Sequence, residues 1–141
     1  MQFGNLPLIW FCRHGETAWN AEGRVQGQFD TDLNETGRAQ ADANGLKLRE
    51  LIGNPESFDF IASPLKRTRE TMRRIRTGMG LPPQDYLLDD RLMEVHFGDW
   101  QGFTAAERAQ FTLARNLAAS PIVLTDSDVA QALKQTSPRD V

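Results

Sequence analysis

Leu8-Ile9-Trp10-Phe11-Cys12, running straight into Arg13-His14-Gly15-Glu16-Thr17-Ala18-Trp19-Asn20, decides how this chain is read. A short, apolar, aromatic-rich run predicts a buried strand over 8–12. In a parallel α/β sheet, ligands bind in the crevice beyond the carboxyl ends of the strands. Arg13 and His14 are therefore expected at a strand tip, where a site would be built. Gly15 allows a sharp turn and a close approach of backbone to ligand. A guanidinium fork matches phosphate oxygens, and a neighbouring imidazole can act as nucleophile or base. An Arg-His pair alone could end any strand; the octapeptide from Arg13 to Asn20 is far more specific.

Outward from that stretch, element types alternate. Asn34 is a helix N-cap, with Gly37 in the first turns and helical spacing over Ala39–Leu51. Gly53-Asn54-Pro55 ends that helix. Phe58–Ala62 reads as a second short buried strand. Ser63 and Pro64 open the next helix as N-cap and N1, and it runs to about Gly78 or Gly80. Tyr86-Leu87-Leu88 suggests a third strand, and Thr104 caps a helix through about Ala119. Pro121–Thr125 is a fourth strand candidate, followed by a short helix from Ser127 or Asp128. This order implies a parallel sheet covered on both faces.

A chain of 141 residues, 40% hydrophobic and 25% charged, fits one globular domain with a single core, spanning 1–141. Its net charge of −3 exerts no general pull on nucleic acid or anionic lipid. Six of the sixteen basic residues fall within Lys66–Arg76, but no aromatic platform or recognition motif accompanies them. Lys66, Arg69, Arg73, Arg74 and Arg76 are read as solvated helix faces. The single cysteine, Cys12, excludes an intrachain disulfide and is expected to be a buried thiol in a reducing compartment. No apolar stretch is long enough to span a bilayer and the N-terminus lacks a basic n-region, so the expectation is a cytoplasmic chain without membrane or nucleic-acid partners.

Three side chains stand out chemically. A nucleophilic His14 needs one ring nitrogen unprotonated and the other donating to a carbonyl. Arg13 and Arg67 each follow a predicted strand, and Arg67 lies in the first turn of a helix, itself an anion site. Phosphoryl transfer is mostly positioning and charge neutralisation, a task for two guanidinium groups at one pocket. No Cys, His and carboxylate cluster calls for a metal, and no cofactor is expected.

The octapeptide resembles the signature of the histidine phosphatase superfamily, the phosphoglycerate mutase-like family. Gly23-Arg24-Val25-Gln26-Gly27, Asp32–Ala41, Ser63-Pro64-Leu65-Lys66-Arg67-Thr68 and Leu92–Gly102 resemble further blocks of that family, in the same order, so the likeness covers about 8–102. The resemblance implies a three-layer α/β/α fold with a mostly parallel central sheet, shortened here. It also implies phosphomonoester hydrolysis through a phosphohistidine on His14. Glu94 would be the general acid, protonating the leaving group and later deprotonating water. Asn20 and Thr17 resemble residues near the phosphate, and Gln26 is a weaker candidate for substrate contact. Partners would be a small phosphorylated substrate or inorganic phosphate.

The chain departs from the family pattern after Gly102. Family members carry a second pocket histidine after a late strand, whereas this chain has only His14 and His96. His96 belongs to the Glu94 block. If Ile122–Leu133 corresponds to the late strand and helix, Asp126 stands at the histidine's position and would repel a phosphate dianion. Two readings stay open for 103–141, a degenerate family C-terminus or unrelated sequence. Two also stay open for function: a weakened phosphatase, or a catalytically inactive phosphate-binding or interaction protein of the same fold. Mutase-type phosphotransfer is disfavoured, because Arg108 and Arg115 are the only basic residues between Gly102 and Ser120. A shortened sheet would expose an edge, which allows a homodimer.

Overall fold

The computed structural model describes residues 7–118. Its elements are α1 (Ala18–Ala21), α2 (Glu35–Leu51), β1 (Ile61–Ala62), α3 (Lys66–Gly78), β2 (Leu87–Leu88) and α4 (Ala105–Ala118), with single 3-10 turns between some of them. β1 and β2 pair in parallel, Ile61 opposite Leu87 and Ala62 opposite Leu88. A parallel pair needs a crossover, and α3 supplies it. The α/β class expected from the alternation is what the chain forms.

The helices start where local chemistry directs. Asn34 Oδ1 accepts from Gly37 N at 2.8 Å, capping α2 as expected. Thr104 and Glu107 cap α4 reciprocally: Glu107 N donates to Thr104 Oγ1 at 3.2 Å, and Thr104 N donates to Glu107 Oε2 at 2.7 Å. The start of α3 differs from expectation. Its N-cap is Leu65, two residues after Ser63, and no side chain of its own caps it. Ser63 Oγ instead pairs with Thr68 Oγ1 at 2.7 Å, while the first helical N–H, that of Lys66, donates to Asp30 Oδ1 at 2.7 Å.

α2 and α3 pack directly along a stripe of small residues. Gly37, Ala41, Gly45 and Leu48 form the buried face of α2, at helical spacing. Arg67, Thr71 and Ile75 lie along the facing side of α3. A Cβ on Gly45 would stand 2.6 Å from Ile75 O, and one on Gly78 would stand 2.9 Å from Gly45 Cα. Only glycines permit this approach. Below the crossing, Leu48, Ile52, Ile75 and Met79 form the core, with Phe58, Phe60 and Leu81 against it.

Three expectations are corrected. Residues 8–12 form no strand: no ladder pairs them among the described residues, and Leu8, Ile9 and Phe11 are 68%, 77% and 89% exposed. A strand is buried by neighbours on its edges and faces, and β1 and β2 pair with each other. Cys12 is correspondingly exposed rather than buried. Arg76 is no solvated charge; it is 3% exposed, lies over the Phe60 ring at 4.3 Å and donates from Nε to Pro82 O at 2.8 Å. Its long apolar stem makes it a core residue with a polar tip. The strand and helix expected over 121–133 lie outside the described residues.

Candidate active site

His14 is half-buried, and its Nδ1 lies 2.7 Å from Gly15 O. A carbonyl only accepts, so Nδ1 holds the proton and Nε2 presents its lone pair. Burial pushes the imidazole below its ordinary pKa. The Gly15 bond opposes this, the Arg67 and Arg13 charges add to it, and Glu94 pulls the other way. The ring is thus held neutral, the form a nucleophile needs, with both arginine charges and the Glu94 carboxylate close enough to act on it.

Gly15 has a packing role that its sequence context did not show. The backbone has no positive φ there. Instead, a Cβ on Gly15 would lie 2.2 Å from Gly37 O, and one on Gly37 would lie 2.0 Å from Glu16 O. The Gly15–Glu16 backbone therefore rests directly on the first turns of α2. Gly15 N donates to Thr71 Oγ1 at 3.0 Å, and that hydroxyl donates to Arg67 O at 2.7 Å. Glu16 N donates to Gln40 Oε1 at 2.9 Å. Thr71 and Gln40 were not read as site residues. The only signal was helical: Thr71 follows Arg67 by one turn, on the same face.

Arg13 is exposed and helps line an open groove of about 690 Å³, formed by residues 11–16, Asn20 and one face of α2 that includes Asn44 and Lys47. Asn20 Oδ1 is engaged by Thr17, but its side chain borders the groove. Thr17 is fully buried. Its hydroxyl caps α1 by accepting from Asn20 N at 3.1 Å and sits 2.6 Å from Gln26 Oε1. Gln26 Oε1 also accepts from Thr31 Oγ1. Thr17 and Gln26 thus brace the loop after α1.

Arg67 is 1% exposed. Its Nη2 donates to Gly27 O at 2.6 Å and its Nη1 to Phe29 O at 2.8 Å. Its Nε is buried and has no partner among the described residues. An orphaned buried donor on a cation is costly unless a ligand meets it. Glu94 is exposed, and its Oε1 accepts from Val95 N at 3.0 Å. Arg67 and Glu94 do not line the groove that holds Arg13 and Asn20. Their charges act on His14, while the polar atoms of their side chains bond elsewhere, to Gly27 O, Phe29 O and Val95 N. His96 Nδ1 accepts from Gly98 N at 2.9 Å in a local turn. Asp126 lies outside the described residues. Among the described residues, no three His, Cys, Asp or Glu side chains converge as a metal site, and no helix is long and apolar enough to cross a membrane.

Comparison with known proteins shows the family. The sequence pattern of the histidine phosphatase superfamily (branch 1) matches residues 9–122. The chain is 40% identical over 95 residues to glucosyl-3-phosphoglycerate phosphatase of Mycobacterium tuberculosis, covering 67% of this chain and 40% of that protein. It is 41% identical over 106 residues to 2,3-bisphosphoglycerate-dependent phosphoglycerate mutase 2 of Bacteroides thetaiotaomicron, covering 74% of this chain and 42% of that one. A solved mycobacterial glucosyl-3-phosphoglycerate phosphatase in complex with VO3 superposes with a TM-score of 0.61 and 36% identity, over 74% of this chain and 47% of that one. The same enzyme with inorganic phosphate superposes with a TM-score of 0.55 at 36% identity, over 74% of this chain and 45% of that one. The chain spans less than half the length of these relatives. With the family pattern extending from the run before Arg13 to beyond α4, this chain belongs to the histidine phosphatase superfamily.

Proposed function

We propose that this chain acts on phosphomonoesters, with His14 Nε2 attacking phosphorus and a phosphohistidine as intermediate. The observation that carries this reading is the Nδ1–Gly15 carbonyl bond, which fixes the nucleophilic tautomer of a ring kept neutral by burial and two arginine charges. Arg13 and the Nε edge of Arg67 hold the equatorial oxygens, with the Asn20 amide beside them. Glu94 gives its proton to the leaving oxygen as the P–O bond breaks. It then takes one from water when phosphohistidine is hydrolysed. Phosphatases and mutases among the relatives, and vanadate and phosphate in a relative's solved structures, support the substrate class.

A second reading, phosphate binding without turnover, is favoured by a specific observation: Glu94 is exposed and its carboxylate is turned onto its own segment's backbone. Phosphoenzyme trapping separates the two. Incubation with p-nitrophenyl phosphate and an acid-free quench is expected to leave an acid-labile phosphate on wild type and none on His14→Ala. Glu94→Gln is expected to slow release of the label by about 10²–10⁴-fold, the usual contribution of general acid–base catalysis. Phosphate bound at equilibrium with no label on wild type establishes the binding-only reading.

A further inference from the structure

We propose that Asp30 is a positioning residue for Arg67, and that the Gly27–Asp30 loop it anchors orients the guanidinium so that the Nε edge is the one offered to a bound oxyanion. This deepens the phosphate reading above and rests on it. α3 lacks a cap of its own, and Asp30 supplies one from 36 residues earlier in the chain, accepting from Lys66 N at 2.7 Å. The next residue of the helix is Arg67. Its two Nη groups donate back into the same loop, to Gly27 O at 2.6 Å and Phe29 O at 2.8 Å. Loop holds helix by one bond, and helix holds loop by two, in a closed ring.

The geometry of the guanidinium makes this ring directional. The group is planar with its N–H bonds in a fixed fork. Fixing both Nη atoms on carbonyls fixes the plane and its rotation, and so fixes where Nε–H points. Each Nη keeps one further N–H, but Nε is the one guanidinium nitrogen with no acceptor among the described residues, and it is buried, so it is the edge assigned to a ligand. The loop is braced on its far side as well. Phe29 stacks on Trp19 with centroids 4.5 Å apart, Gln28 N donates to Gln101 Oε1 at 2.9 Å, and Gln28 Nε2 donates to Glu94 O at 3.1 Å. The same four-residue loop therefore joins Arg67 to the segment carrying Glu94.

A purely electrostatic role for Asp30 has the opposite sign. Its negative charge lies near Arg67 and opposes an incoming anion, so removing the charge alone should tighten phosphate binding. Asp30→Asn keeps an acceptor for Lys66 N and drops the charge; Asp30→Ala drops both; Asp30→Glu keeps the charge and displaces the acceptor. The full chain is titrated with inorganic phosphate and with orthovanadate, while amide exchange at Lys66 and Nε–H exchange at Arg67 are followed by NMR. Positioning predicts affinity within about threefold of wild type for Asn, and a loss of about 10- to 100-fold for Ala, as for other residues that support a ligand-binding group from behind. Glu should fall between them, and Lys66 and Arg67 exchange should accelerate in Ala but not in Asn. Unchanged affinity in Ala and Glu, or tightening in both Asn and Ala, overturns it. Should Ala fail to fold, Glu against Asn carries the same comparison. If wild type binds neither anion, the phosphate reading fails on its own. The exchange rates of the free protein then decide positioning: protection lost in Ala supports it, protection unchanged overturns it.

Discussion

His14 has a consequence that can be measured without any substrate. Its pKa is lowered in the fold, first by burial and then by the arginine charges. The unfolded chain, with an ordinary imidazole, therefore binds the proton more readily. Stability is fully present above the ordinary histidine pKa near ~6.5. It is lost as pH falls through that value toward the depressed one. Wild type is expected to lose more of its urea midpoint between pH 7.5 and 5.5 than His14→Asn, whose side chain does not titrate. Equal losses in the two proteins would show that the ring is not held neutral by its surroundings. At the same scale, Arg13 is exposed on the groove beside His14, and its contact with phosphate belongs to the function proposed above. Thr17 is legible in the sequence as part of the octapeptide but not as an internal cap, because burial of its hydroxyl depends on Gln26 and Leu33 coming back across it.

At the scale of elements, the spacing of caps and breakers located α2 and α4 nearly to the residue, since Asn34 and the Thr104–Glu107 pair act within one turn. The start of α3 escaped because its cap, Asp30, comes from a distant loop, and no local pattern records that. The Gly15–Gly37 contact escaped for the same reason. It makes a sharp prediction. Alanine is normally the better helix former by about 1 kcal/mol. At Gly37, however, its Cβ would meet Glu16 O at 2.0 Å and Glu16 N at 2.5 Å, which are backbone atoms with little room to yield. Gly37→Ala is expected to destabilise by about 1–3 kcal/mol, the range for overpacking, and to impair anion binding by displacing Gly15 and Glu16. Gly53→Ala, where nothing lies within 4 Å of the new Cβ, is the control and should be neutral or slightly stabilising. Chemical denaturation of both variants checks the pair. The exposed ion pairs between α2 and α3, Arg38–Glu70 at 2.9 Å and Arg74–Asp42 at 3.0 Å, contribute little beside this backbone contact, at most about 1 kcal/mol each.

For the molecule as a whole, the apolar run at 8–11 is the largest departure from the burial expected of its composition. Leu8, Ile9 and Phe11 are more than two-thirds exposed and Trp10 is 42% exposed. Leu87 and Leu88 of β2 are also exposed, at 65% and 49%. A patch of this kind is where apolar probes and other surfaces bind. Phe11→Ser is expected to lower the fluorescence of a bound naphthalene-sulfonate dye while leaving the unfolding midpoint within about 0.5 kcal/mol of wild type, as for a surface substitution. A loss of about 3–5 kcal/mol, the cost of truncating a core aromatic, would show that the ring is covered in solution.

By itself, the sequence determined the family, the α/β class and the order of the elements from α2 to α4. Those depend on local signals: the Arg13–Asn20 octapeptide, helix caps, and apolar runs bounded by glycine and proline. Only the tertiary structure decided how those parts are used. Arg67 is anchored through loop carbonyls with its Nε left over, Thr17 and Gln26 brace each other, Gly15 lies on Gly37, and the run before Arg13 stands exposed. Each of these outcomes depends on atoms far apart in the chain. Composition reports that a segment can be buried, but burial needs a neighbour, and which neighbour arrives is settled only when the chain is folded.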